Sequence, residues 1–98
     1  MAAYLIGRIR VDDPDTYARY AARTPDVIAQ HGGRFLVRGG AVEPLEGPNT
    51  RSTRTVVIEF PDMERAKTFY QSPEYQEIAK LRWQAADGEL FIVEGVTP

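Results

Sequence analysis

Apolar and polar positions alternate from Tyr4 to Val11, with Leu5, Ile9 and Val11 on one side and Tyr4 and Ile6 on the other, which predicts a β-strand. Asp12-Asp13-Pro14 then opens a helix: Asp13 can cap free N–H groups, and Pro14 suits the first helical position, where its missing donor is not needed. Tyr17, Ala21, Thr24 and Ile28 recur at helical spacing and lay one stripe on a core. Pro25 interrupts that pattern, so a kink or restart is expected near Thr24, and Gly32-Gly33 ends the element. Arg34 to Arg38 reads as a second strand, bent at Gly39-Gly40 and continued from Ala41 to Leu45. Glu46 to Arg54, with Gly47, Pro48 and Asn49, is a loop. Thr55 to Phe60 is a nearly continuous apolar strand. Asp62 caps a helix carrying Ala66, Phe69 and Tyr70, and Ser72-Pro73 starts another through Tyr75, Ile78, Ala79, Arg82 and Trp83. Asp87-Gly88 reads as a turn before a last strand, Leu90 to Val93.

The resulting order is β-α-β, loop, β-α-α-β. Its halves echo each other, because an aspartate cap (Asp13, Asp62) is followed seven residues later by an aromatic (Tyr20, Phe69). Right-handed crossovers on such a chain give a ferredoxin-like α+β fold: one domain over residues 1–98, an antiparallel sheet in order 4-1-3-2, and helices on one face. The third and fourth strands are apolar on both faces, and helices cover only one face in this topology. A second copy of the same sheet is the simplest cover for the other, so a homodimer is expected.

Composition narrows the function classes. Basic and acidic side chains number 12 and 14 and are mixed along the chain, for a net charge of −2, which argues against nucleic acid as a partner. With no cysteine, disulfides, thiolate metal sites and cysteine nucleophiles are excluded. Apolar runs are far shorter than the roughly 20 residues that span a bilayer, and Arg8 and Arg10 interrupt the apolar opening too early for a signal peptide. No membrane partner and a cytoplasmic location are the expectation.

The segments Gly32-Gly33-Arg34-Phe35-Leu36-Val37-Arg38-Gly39-Gly40, Leu45-Glu46-Gly47, Val57-Ile58-Glu59-Phe60-Pro61 and Ser72-Pro73-Glu74-Tyr75 resemble the domain of unknown function 1330 family, from about Tyr4 to Gly95. The resemblance implies the dimeric α/β-barrel fold, in which two sheets meet face to face. Relatives in that wider group include cofactor-free monooxygenases, isomerases of the muconolactone type, haem-degrading enzymes and effector-sensing domains of transcription regulators. The family itself carries no assigned reaction, and a shared fold does not transfer one.

His31, the one histidine, titrates near neutrality and could serve as a general base or haem ligand; its plain role is a helix-end residue facing the helix dipole. Glu59 lies in the most apolar strand, where a carboxylate must be paired or change its pKa. Arg8, Arg10, Arg34 and Arg38 are its candidate partners, with Arg38 favoured, and the alternative is a cleft carboxylate that moves protons. Arg38, beside the Gly39-Gly40 bend, could instead hold a carboxylate or enolate oxygen through two parallel hydrogen bonds. Tyr17, Tyr70, Tyr75 and Arg82 project from helices as candidate ligand-binding residues or as core and rim. No clustered metal-ligand set, phosphate loop or dinucleotide pattern is present, so neither metal nor cofactor is expected and function should survive chelators. Three classes stay open: a cofactor-free enzyme acting on a small organic molecule, a ligand-binding module with the same cleft, and a structural dimer unit with a filled one.

Overall fold

The computed structural model describes residues 1–47 and 54–96. Strands β1 (Ala3–Val11), β2 (Arg34–Arg38), β3 (Arg54–Phe60) and β4 (Ala86–Glu94) form one antiparallel sheet in the order β2-β3-β1-β4, which is the expected order read from the other edge. Helices α1 (Pro14–Gln30), α2 (Met63–Gln71) and α3 (Pro73–Ala85) lie on one face. The Cα extents are 33 × 32 × 16 Å, a slab whose short dimension accommodates one sheet and one helix layer.

The capping signals act as read. Asp13 accepts from the Thr16 N–H at 3.2 Å and Thr16 hydroxyl at 2.7 Å, and Asp62 accepts from the Arg65 N–H at 2.8 Å. Ser72 joins two helices: its hydroxyl donates to the Phe69 carbonyl at 2.8 Å, closing α2, and accepts from the Tyr75 N–H at 3.1 Å, opening α3. Phe69 sits at the centre of the core, its ring 5.2 Å from Phe60 and 4.6 Å from Tyr75. At Gly32 the chain leaves α1 with φ +77°, the left-handed cap that favours glycine.

Four local expectations are corrected. Helix α1 runs unbroken through Pro25, without a restart at Thr24. Proline has no N–H to offer the Ala21 carbonyl, but that oxygen accepts from the Thr24 hydroxyl at 3.2 Å and from an Arg38 guanidinium nitrogen at 2.7 Å, so the gap in the ladder is filled. Second, Ala41 to Leu45 does not continue β2. After Gly39, which has φ +71° and gives its N–H to Thr55, residues 40–45 form no strand, and Leu45 is left 89% exposed. Third, Asp87 and Gly88 are not a turn but belong to β4, paired with Arg10 and Ile9, because α3 passes directly into the strand at Ala86. Fourth, Arg38 does not pair with Glu59. The expected loop from Glu46 to Arg54 falls largely on residues 48–53, outside the described residues.

The fourth correction follows from sheet register. Alternation would put Arg34, Leu36 and Arg38 on one face. Between Phe35 and Val37, however, the β2-β3 register shifts by a bulge: Arg34 lies opposite Glu59 and Phe35 opposite Ile58, but Val37 meets Val57 and Arg38 meets Val56. One extra residue reverses the parity, as a bulge does. Arg38 is thereby turned to the helix-covered inner face and Glu59 stays on the outer one.

Candidate functional site

The inner face carries a cleft between α1 and the sheet. One row of the sheet reads Ile92, Leu5, Ile58, Phe35 across four strands, and the next reads Leu90, Gly7, Val56, Arg38. Beyond them, Arg54 pairs with Ile9. Tyr17, Tyr20, Ala21, Thr24 and Ile28 of α1 form the roof, and Phe69 and Tyr75 close one side. The space inside it that a water-sized molecule can reach is about 30 Å³, so anything larger than a water or two enters only by displacing side chains of its walls.

Polar groups in this apolar slot are few and specific. The Tyr20 and Tyr75 hydroxyls share a hydrogen bond of 2.8 Å. Burial, then the neighbouring Tyr75 and that hydrogen bond, push the Tyr20 phenol well above the ordinary tyrosine range, so it keeps its proton. Burial raises Tyr17 as well, partly offset by Arg54, whose guanidinium carbon lies 5.4 Å from the ring centre. Arg82 is 8% exposed and stands behind the tyrosines, 6.0 Å from the Tyr20 ring centre. Burial works against its charge, but the phenols of Tyr75, Tyr20 and Tyr70 outweigh this and raise its pKa overall. Arg38 packs its guanidinium over Phe35 at 4.6 Å while donating to the Ala21 carbonyl. Gly39 matters here because a Cβ would meet the Arg54 guanidinium; the bare backbone lets that side chain lie across the turn. Among the described residues, Nε of Arg54 and Nε of Arg82 are buried without a hydrogen-bond partner.

The sequence candidates therefore divide. Tyr17, Tyr75 and Arg38 line the cleft, and Arg82 supports its tyrosines. Tyr70 turns instead to an open groove with Met63, Lys67, Phe91 and Ile92 between α2 and β4, though its ring lies 5.5 Å from that of Tyr75. His31 caps α1, its Nδ1 2.9 Å from the Val27 carbonyl and its ring edge-on to Phe69. Glu59 is on the outer face, where it accepts from Arg34 Nε at 2.8 Å and from the Tyr4 hydroxyl at 3.4 Å. Among the described residues, no histidine, aspartate or glutamate lines the cleft. Among the described residues, no group of three or more His, Cys, Asp or Glu side chains comes together as a metal site. Sequence reasoning passed over Arg54 and gave Tyr20 no chemical role. Both were within its reach: Arg54 shares strand parity with Val56 and Ile58, and Tyr20 stands one helical turn from Tyr17.

The outer face differs in kind. Its central row reads Phe91, Ile6, Val57, Val37, flanked by Val93, Tyr4, Glu59, Arg34 on one side and Glu89, Arg8, Thr55 on the other. Leu36, Val37, Phe91 and Val93 are between 41% and 47% exposed.

A four-stranded antiparallel sheet, helices on one side of it, and a cleft beneath the first helix define a small ferredoxin-like α+β protein. The chain belongs to the family described as domain of unknown function DUF1330, whose match covers residues 2–96. No curated protein matches it. Among solved structures it is similar to the RPA0582 protein of unknown function from Rhodopseudomonas palustris, at 24% identity over 99% of this chain and 84% of that one, with TM-score 0.77. It is also similar to SnoaB, a cofactor-independent oxygenase from Streptomyces nogalater, at 14% identity over 99% and 95% of the two chains and TM-score 0.70. The de novo designed protein Foldit4 matches at 17% identity over 98% and 100%, with TM-score 0.63. An oxygenase and a designed chain on one scaffold leave function to be argued from the site. Among the described residues, no helix is long and apolar enough to cross a membrane.

Proposed function

We propose that the protein binds a small, largely apolar organic molecule in the cleft between α1 and the sheet, and that two copies pair through their outer sheet faces. The observation that carries the first part is the apolar slot itself, which holds the Tyr20-Tyr75 hydroxyl pair and two arginines at its border. The second rests on the exposed apolar row through Ile6 and Val57, which a second sheet would cover. Titration of 15N-labelled protein with small planar aromatics, neutral and charged, tests the cleft. The amides of Thr24, Ile28, Phe35 and Val56 should shift. Shifts confined to Val57 and Phe91 on the outer face, or none at all, would overturn the reading.

A catalytic version is favoured by the likeness to a cofactor-independent oxygenase. A ligand acidic enough to reach the cleft already as its enolate, its proton left to solvent, would be held in that form by the arginines, and an enolate can transfer an electron to dioxygen, the second substrate. Oxygen uptake that depends on the ligand separates turnover from binding.

A further inference from the structure

We propose that the ligand class is a planar organic monoanion, an aromatic carboxylate or enolate, whose negative oxygen meets Arg54 and Arg38 while its apolar body lies between α1 and the sheet. This rests on the cleft being a binding site and adds the charge and shape of what it binds. The first support is a mismatch of charges. Arg10, Arg34 and Lys80 each have a carboxylate within 4.0 Å, but among the described residues Arg38, Arg54 and Arg82 have none. Residues 48–53 contain no Asp or Glu, so that segment brings no acidic side chain. Arg38 and Arg54 line the slot, the first exposed and the second half-buried, and the nine-tenths-buried Arg82 stands behind it, so the charges of Arg82 and in part Arg54 are held away from water without the anion that ordinarily pairs a buried cation.

The second support is a surplus of donors. A guanidinium offers five N–H groups and accepts nothing. The Ala21 carbonyl takes one from Arg38, while Nε of Arg54 and Nε of the nine-tenths-buried Arg82 find no partner. The Tyr17 and Tyr20 phenols hold their protons and, with no carboxylate or imidazole in the lining among the described residues, the cleft has little to accept from a donor-rich ligand. It suits an acceptor with full negative charge. Planarity follows from the walls: the Tyr17, Tyr20 and Phe35 rings border the slot, and the arginines stack on rings that orient their charge without neutralising it. The floor of Leu5, Ile9, Val56, Ile58 and Leu90 offers no second polar centre, which favours one charge over two.

Calorimetric titration with 2-naphthoate and its neutral isostere 2-naphthamide, at pH 7 and fixed ionic strength, tests the assignment, with amide shifts confirming the location. The carboxylate should bind at least about tenfold tighter, and Arg54→Gln should remove that preference while leaving naphthamide affinity nearly unchanged. Equal binding of the two compounds overturns the charge assignment and leaves the cleft reading intact, as does an Arg54→Gln that weakens both alike. Neither compound binding at millimolar concentration overturns the cleft reading as well. Inorganic phosphate displacing naphthoate at comparable concentration would reassign the arginines to inorganic anions. If Arg54→Gln does not fold, Arg38→Gln carries the test, since its exposed side chain contributes little to the core and should also narrow the naphthoate preference.

Discussion

Arg34 and Arg38 stand four residues apart on one short strand, yet they live in different electrostatic worlds. On the outer face Arg34 meets Glu59 at 2.8 Å, and the phenol of Tyr4 closes on the same carboxylate. On the inner face Arg38 leans on Phe35 and the Ala21 carbonyl and meets no acid among the described residues. The outer cluster is neutral within itself. The inner cluster is charged and incomplete. On the proposed reading, the Arg34–Glu59 pair serves the dimer face, and the buried, unpaired donors of Arg54 and Arg82 serve the ligand.

The sharpest way to break this comparison is Glu59→Gln. In the single chain the Glu59 side chain is 26% exposed and that of Arg34 72% exposed, so the pair alone would contribute under about 1 kcal/mol. Covering by a second sheet takes both groups out of water, and removing one partner then costs about 3–5 kcal/mol. The larger loss is expected. Wild type should sediment at twice the chain mass at micromolar concentration, with the variant shifted toward monomer and its melting dependent on concentration. A wild-type monomer with a near-neutral Glu59→Gln would place the outer face in solvent. Combined with Arg38→Gln, the effects should add within about 0.5 kcal/mol, because the two residues sit on opposite faces of the sheet.

A smaller effect sharpens the inner side. Tyr20→Phe removes one member of the buried hydroxyl pair and strips Tyr75 of its hydroxyl partner on α1, at a cost of about 1–3 kcal/mol. It should also change the alkaline response. The Tyr20 pKa is raised in the folded state, so its contribution is fully present below the unfolded value of about 10. Above that pH the unfolded chain releases a proton that the folded chain keeps, and stability falls as pH rises. Melting between pH 9 and 11 should show this decline in wild type and a shallower one in Tyr20→Phe. Parallel curves would mean that Tyr20 exchanges its proton freely with solvent.

Periodicity was enough for the helix caps and the stripe of α1, because alternation and capping are local properties written in single residues, and crossover handedness then supplied the strand order. It was enough for Tyr17 and Tyr75 in the cleft for the same reason. It failed for Glu59 and Arg38, since a bulge of one residue at Leu36 reverses every later side chain in β2 and leaves little mark in the apolar pattern of Phe35-Leu36-Val37. It failed for Ala41 to Leu45 because Gly39 bends the chain out of the strand through a left-handed φ that the apolar residues beyond it do not reveal. His31 was a chemical candidate by residue type alone, and the helix end put it to local use.

Pro25 leaves a gap in the hydrogen-bond ladder of α1, and that gap ties the helix to the border of the cleft. Without an N–H at position 25, the Ala21 carbonyl is free to accept from Arg38, which fixes the guanidinium at the border of the slot. Pro25→Ala would restore the missing donor. Proline in a helix interior ordinarily costs about 3 kcal/mol relative to alanine, but the Ala21 oxygen is already satisfied by Arg38 and Thr24, so the gain should be only about 1 kcal/mol. The restored helical bond competes for the carbonyl and releases Arg38. A modestly more stable protein with several-fold weaker 2-naphthoate binding and unchanged 2-naphthamide binding is the expected outcome, read by thermal melting beside calorimetry. Were Pro25→Ala to gain the full 3 kcal/mol with naphthoate affinity intact, the proline would be a plain cost to the helix and Arg38 would need no anchor to serve the inner face.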